Sequence, residues 1–195
     1  DIGGGTTDIA IFTEGAIRHT AVIPIAGDQI TNDIAMALRT PTAEAEEIKV
    51  RYGIAKQLLA DPTDVFDVPG LGDRGARTLS KAALAAVIEP RVEELFSLVH
   101  QVVRESGFEE VLSSGVVLTG GSSLMPGMCE LAEDIFLKPA RVGTAVYEGQ
   151  LADVVKSPRY STVLGLLDEA KRQYLRGQVI VRQGGSATAV WQRMK

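Results

Sequence analysis

The chain has 195 residues, 45% of them hydrophobic and 23% charged, ordinary values for a globular protein. Its formal charge of −5 argues against nucleic-acid binding by the molecule as a whole, although Lys171, Arg172, Arg176, Arg182, Arg193 and Lys195 make a carboxylate-free basic end suited to an anionic partner. The single cysteine, Cys129, excludes an internal disulfide and fits a reducing compartment, and no apolar run approaches the roughly 20 residues of a membrane-spanning helix.

The chain starts at Asp1 inside a motif, without methionine, and reads as a fragment lacking its N-terminal part. Asp1-Ile2-Gly3-Gly4-Gly5-Thr6-Thr7-Asp8 leads into the apolar run Ile9–Phe12, a strand. After the turn Thr13-Glu14-Gly15, residues 16–25 continue as strand, predicting a meander of about three strands. Residues 27–38 have Ile30, Ile34, Ala37 and Leu38 at helical spacing, with Asp28 placed to cap the start. A second helix is predicted from Thr42 to Gly53, capped by Thr42 or Thr40. The Pro- and Gly-rich stretch 61–79 predicts a small strand-and-loop subdomain.

Further along, Ser80 caps a helix to Glu89, and Pro90 opens a second one to Ser106 because proline suits a first turn. His100 falls off the apolar stripe of that helix and is expected to be exposed. Within Gly115–Gly127 a buried apolar strand runs into Gly120-Gly121, then Pro126 starts a helix from about Gly127 to Phe136 in which Cys129 is a small core residue. Ala140–Gly143 is a strand, and Pro158-Arg159-Tyr160-Ser161-Thr162 leads a last helix. Residues 184–188 resemble a linker, followed by the apolar and basic piece 189–195.

Three stretches carry chemistry. The triple glycine leaves no Cβ in the way, so backbone N–H groups can converge into a nest for an anion such as phosphate. Thr6 and Thr7 add hydroxyl donors, and Asp1 and Asp8 flank the turn where a hydrated Mg²⁺ would sit beside phosphates. A plain glycine hairpin is the competing reading. Gly27-Asp28 opens a helix whose N-terminal end favours a terminal phosphate, with simple capping as the alternative. Gly120-Gly121 at a strand's end lets a flat group lie against backbone. Glu46 and Lys49 share a helix face and by themselves read as a solvated ion pair.

Asp-apolar-Gly-Gly-Gly-Thr-Thr-Asp resembles the second phosphate loop of the actin and heat-shock-chaperone ATPase superfamily. Closer detail, in Pro24–Ala35, Ala45–Lys49 with Tyr52-Gly53, Ile88–Leu95, Val117–Leu124 and Pro158–Leu167, resembles the bacterial cell-division FtsA family over nearly the whole chain. The resemblance implies an α/β fold: an actin-like, ribonuclease-H-like ATPase lobe with a small α+β subdomain inserted. Residues 1–37 and 92–180 would form the main subdomain and 38–91 the insert; 181–195 would be linker and the start of an amphipathic membrane-targeting helix.

It further implies ATP and Mg²⁺ as cofactors. Gly3, Gly4, Gly5, Thr6 and Thr7 would hold phosphates, Asp1 would place Mg²⁺ through water, and Gly27 and Asp28 would lie near the γ-phosphate. Glu46 and Lys49 would contact the ribose and adenine side, and Gly120, Gly121 and Ser122 would line the adenosine pocket. Ala26 stands where chaperone relatives have a glycine. No catalytic residue is assigned; the fragment is expected to be inactive and the whole protein at most a weak ATPase.

The implied role is structural: polymerisation at the cytoplasmic face of the inner membrane at the septum, tethering of FtsZ filaments, and recruitment of later divisome proteins. The FtsZ C-terminal peptide would meet Arg51, Lys56, Arg74 and Arg77; the membrane surface would meet Val190, Trp191, Arg193, Met194 and Lys195. The alternatives are a nucleotide-turnover enzyme of the same superfamily, chaperone-type or sugar-kinase-like, and a rod-shape or pilus-assembly actin homologue.

Overall fold

The computed structural model describes residues 1–69, 75–147, 149 and 152–176. The candidate positions Arg74, Val190, Trp191, Arg193, Met194 and Lys195, and the linker 184–188, lie outside the described residues. The chain divides into two compact units, Asp1–Ser161 and Thr162–Lys195.

In the first unit, β1 (Thr7–Thr13) and β2 (Ala16–Ile23) form one antiparallel hairpin, so the expected three-stranded meander is a two-stranded one. Glu14 and Gly15 both have positive φ in the connecting turn. Along β1, Thr7, Ile9 and Ile11 face inward and Asp8, Ala10 and Phe12 outward, the period-two alternation of a half-buried strand. Ahead of the hairpin, Ile2 bridges to Thr7 and donates its N–H to the carbonyl of Thr119 at 2.8 Å. The opening loop is thereby tied to the end of β5 (Val116–Leu118), which pairs in parallel with β6 (Ala140–Val142).

Helix α1 spans Gly27–Leu38 and buries Ile30, Thr31, Ile34 and Leu38. Its cap differs from expectation. Ala26 occupies the N-cap position, and the Gln29 side chain accepts from the Ala26 N–H at 2.9 Å, which leaves the Asp28 carboxylate free of the capping task. Helix α2 (Thr42–Tyr52) follows Pro41 at its N-cap without a side-chain cap, so neither Thr40 nor Thr42 plays the predicted part. β3 (Val65–Val68) and β4 (Arg77–Ser80) pair antiparallel, from within the 61–79 stretch to one residue past it.

Helix α3 runs unbroken from Lys81 to Glu105 with Pro90 inside it, where two helices were predicted. A mid-helix proline costs about 3 kcal/mol through its missing N–H and its clash with the preceding turn. The apolar stripe explains why the helix nonetheless continues: Leu84, Ala85 and Ile88 before Pro90 and Val92, Leu95 and Phe96 after it are all buried. Ser80 caps α3 as predicted, accepting from the Ala83 N–H at 3.2 Å. His100 is also not simply exposed: its Nε2 lies 2.7 Å from Glu109 Oε1 and its ring packs edge-on against Phe136.

Helix α4 (Met128–Phe136) buries Met128, Leu131, Ala132 and Phe136 against the same core, and Cys129 is half-buried at its edge. Burial pushes the Cys129 thiol pKa up, reinforced by Glu130 and Glu133. The short helix α5 covers Ala152–Val155. Helix α6 (Ser161–Leu175) makes up most of the described part of the second unit and carries an internal Arg172–Asp168 pair at 2.7 Å. Among the described residues no helix is long and apolar enough to cross a membrane.

Candidate nucleotide site

The opening loop is held from three sides. Gly3 donates its N–H to Thr6 O at 3.0 Å, which closes the turn on itself. The Gly3 carbonyl accepts the Gly27 N–H at 3.1 Å and the Ser122 hydroxyl at 3.0 Å. The Gly4 carbonyl accepts the Asp28 N–H at 2.7 Å. The start of α1 and the double-glycine turn therefore both fasten to the loop's carbonyls. Its amides keep no protein acceptor: among the described residues none accepts from the N–H groups of Gly4, Gly5 or Thr6, and all three residues are exposed. Three successive open N–H donors make a nest suited to an anion.

The N–H groups of Gly27 and Asp28 are engaged by the loop, so an anion at the loop would feel the α1 terminus through its dipole rather than through these two donors. The Thr7 hydroxyl is engaged as well. Thr7 takes an inward position on β1 and donates to the Ile25 carbonyl at 2.7 Å, so only Thr6 keeps its hydroxyl at the exposed turn. The Asp28 carboxylate stands over the loop, with Oδ1 3.2 Å from where a Cβ on Gly4 would be. A side chain at Gly4 would press on that carboxylate.

Gly27 is the crowded centre. A Cβ there would stand 2.7 Å from Ser122 Oγ, 3.2 Å from Gly3 O and 3.3 Å from Lys49 Nζ. Lys49 comes in from α2, is nearly fully buried, and has three acceptors for its three donors: Gly27 O at 3.0 Å, Thr31 Oγ1 at 2.8 Å and Glu46 Oε2 at 2.6 Å. The Thr31 hydroxyl donates to Glu46, and its Oγ1 also lies 3.0 Å from Gly27 O. The Glu46–Lys49 pair is thus an inward anchor rather than a solvated surface pair. Burial pushes the Glu46 carboxyl up, but hydrogen bonds from Lys49 and Thr31 and the charges of Lys49 and Arg159 outweigh it and hold it below its ordinary value.

Gly120 has φ +87°, and a Cβ there would lie 2.4 Å from Asp1 Oδ1, 2.5 Å from Ile2 O and 2.6 Å from Ile2 N. Only glycine lets the double-glycine turn sit this close to the opening loop. Ser122 N–H completes the junction to Ile2 O at 3.2 Å. Gly121 beside it is open, with the Arg159 side chain alongside: a Cβ would be 3.5 Å from Arg159 Cγ.

The structure thus brings Asp1, Gly3–Thr6, Gly27, Asp28, Glu46, Lys49, Gly120, Gly121 and Ser122 into one connected wall. Thr31 and Arg159 belong to it; both fall in family-like stretches of the sequence, Pro24–Ala35 and Pro158–Leu167, but the resemblance gives neither a role. Thr31 lies one helical turn beyond Gly27 on the same face, the spacing that marks it in retrospect. Of the candidate peptide-binding cations, Lys56 pairs with Asp134 at 2.5 Å and Arg77 bonds the Leu38 carbonyl. Arg51 forms no ion pair with a described residue and lies 5.7 Å from the Tyr52 ring centre.

The comparisons agree with one another. The family model for cell division protein FtsA matches residues 1–165. Cell division protein FtsA of Pseudomonas aeruginosa is 62% identical over 167 residues, 86% of this chain and 40% of that protein. FtsA of Escherichia coli K12 is 41% identical over 195 residues, 96% of this chain and 46% of that protein. The chain spans less than half the length of these relatives. Among solved structures, MreB5 of Spiroplasma citri bound to AMPPNP superposes with a TM-score of 0.67 at 20% identity, covering 90% of this chain and 54% of that one. The PilM–PilN type IV pilus biogenesis complex gives 0.61 at 21%, covering 87% and 44%. These neighbours share the actin-like α/β fold. The chain belongs to the cell division protein FtsA family.

Proposed function

We propose that this wall is one side of an ATP cleft, and that the whole protein uses ATP to assemble at the division septum rather than as fuel. The observation that carries this reading is the Gly3 carbonyl. It takes both the Gly27 N–H and the Ser122 hydroxyl, fixing the loop so that the Gly4–Thr6 amides stay open for phosphates. Glu46 lies on the ribose side and Gly120-Gly121 on the base side. The fold neighbour MreB5, solved with AMPPNP, adds support by analogy.

Mg²⁺ fits the residues present. Among the described residues no cluster of three or more His, Cys, Asp or Glu side chains could cage a metal. Mg²⁺, however, commonly takes only one or two carboxylates and otherwise waters and phosphate oxygens. Asp1 and Asp8 flank the loop in sequence, and the Asp28 carboxylate stands beside Gly4. Bound there, Mg²⁺ would offset the charge of the phosphates against Asp28.

In the whole protein this lobe would polymerise with its copies, tether FtsZ through its C-terminal peptide, and recruit later divisome proteins at the cytoplasmic face of the inner membrane. Residues 38–91 would receive the peptide, with Arg51 a cation available to an acidic segment and Lys56 and Arg77 already engaged by Asp134 and the Leu38 carbonyl. Membrane contact would fall to residues 189–195. Titration of the full-length protein with a fluorescent ATP analogue and Mg²⁺, alongside the FtsZ peptide, tests this. Saturable binding of both with slow turnover is expected. Rapid hydrolysis, phosphotransfer to a sugar, or no peptide binding by folded protein would contradict it.

A further inference from the structure

Arg159 falls in the family-like stretch Pro158–Leu167 without an assigned role, and the backbone around it is anchored to the double-glycine turn. Pro158 is buried and its carbonyl accepts the Gly120 N–H at 3.1 Å. Thr119 Oγ1 lies 2.7 Å from Ser161 Oγ and bonds the Gly143 carbonyl at 3.1 Å. Ser157 Oγ accepts the Arg159 N–H at 3.4 Å, starting the short helical turn Pro158–Tyr160. The turn is pinned on both flanks while the Arg159 residue itself is exposed.

The side chain runs beside Gly121, with Cγ 3.5 Å and Nε 3.9 Å from the position a Cβ would take. Its charge is also among those that hold the Glu46 carboxyl down. It forms no ion pair with a described residue. A planar cation is therefore stationed where the flat backbone of Gly120-Gly121 meets the cleft, on the side of Glu46. The open phosphate nest lies at Gly4–Thr6 instead, across the Gly3–Ser122 junction.

We propose that Arg159 is a base-binding residue, its guanidinium packing on the face of a purine laid against Gly120-Gly121. This rests on the reading of the wall as a nucleotide cleft. Arginine suits the task because its guanidinium is planar, weakly hydrated and attracted to aromatic faces. A lysine in its place keeps the charge and loses the plane.

The test uses the full-length protein and its R159A and R159K forms, each titrated with Mg·ATP and with Mg·tripolyphosphate, which has no base. Thermal melting without ligand checks folding, and an exposed side chain should leave it unchanged. R159A should weaken ATP by about 3- to 30-fold, the span of a cation–π contact from exposed to desolvated. R159K should fall between, and tripolyphosphate affinity should stay the same in all three. Equal losses for both ligands would make Arg159 a phosphate contact and overturn the inference, as would unchanged ATP affinity in R159A. Absence of ATP binding by the unmodified protein would instead overturn the cleft reading itself.

Discussion

Lys49 Nζ lies 3.0 Å from the carbonyl oxygen of Gly27, so a buried cation on α2 holds the first turn of α1 against the opening glycine loop. Replacing it with methionine keeps most of the volume and removes three hydrogen bonds. Glu46 and Thr31 would lose their buried partner, at a cost of about 1–3 kcal/mol. Glu46 is half-exposed and can rehydrate, which keeps the loss below that of a fully buried pair. Urea denaturation should show a lower midpoint for Lys49→Met. Unchanged stability with weakened ATP binding would mean that Lys49 acts on the ligand alone.

The two adjacent glycines should respond differently to alanine. Gly120→Ala combines a positive φ with backbone overlap at Ile2, and a loss of about 2–4 kcal/mol is expected. At Gly121 the added methyl meets Arg159 Cγ at ordinary contact distance, and stability should change by less than about 1 kcal/mol. Melting curves of the two variants check the contrast; equal losses would contradict it.

The two threonines should also separate. Thr7→Val removes the buried bond to Ile25 O and should cost about 1 kcal/mol or more, because that carbonyl loses its donor. Thr6→Ala should leave the denaturation midpoint unchanged and weaken ATP binding only. The same pair of measurements, midpoint and affinity, reads both.

Glu46 adds a pH dependence of defined sign. Its folded-state pKa lies below the ordinary value of 4.5, so its contribution to stability is full above pH 4.5 and is lost as pH falls through the folded value. The stability difference between the unmodified chain and Glu46→Gln should be flat at neutral pH and shrink below 4.5. A difference that grew on acidification would reverse the sign assigned here. Denaturation at a series of pH values measures it.

What could be read from local pattern was the set of elements with strong periodicity or punctuation: α1 at Gly27–Leu38, α2 ending before Gly53, and the strand into Gly120-Gly121. What could not was set by partners distant in the chain. Pro90 looked like a helix start because local rules place proline there; the burial that carries α3 through it comes from other elements. His100 looked exposed because its partners, Glu109 and Phe136, lie off its helix. Glu46 and Lys49 looked like a surface pair because nothing in their spacing reveals the Gly27 carbonyl, and Thr6 and Thr7 looked alike until strand alternation turned one inward.

Amide hydrogen exchange of the full-length protein with and without Mg·ATP tests the central claim most directly. Without ligand the Gly4, Gly5 and Thr6 amides are open, whereas the Gly27 and Asp28 amides are bonded to loop carbonyls. ATP should slow exchange at Gly4–Thr6 by more than at any segment of α3. Saturating ATP binding that left Gly4–Thr6 exchange unchanged would place the phosphates elsewhere and contradict the account.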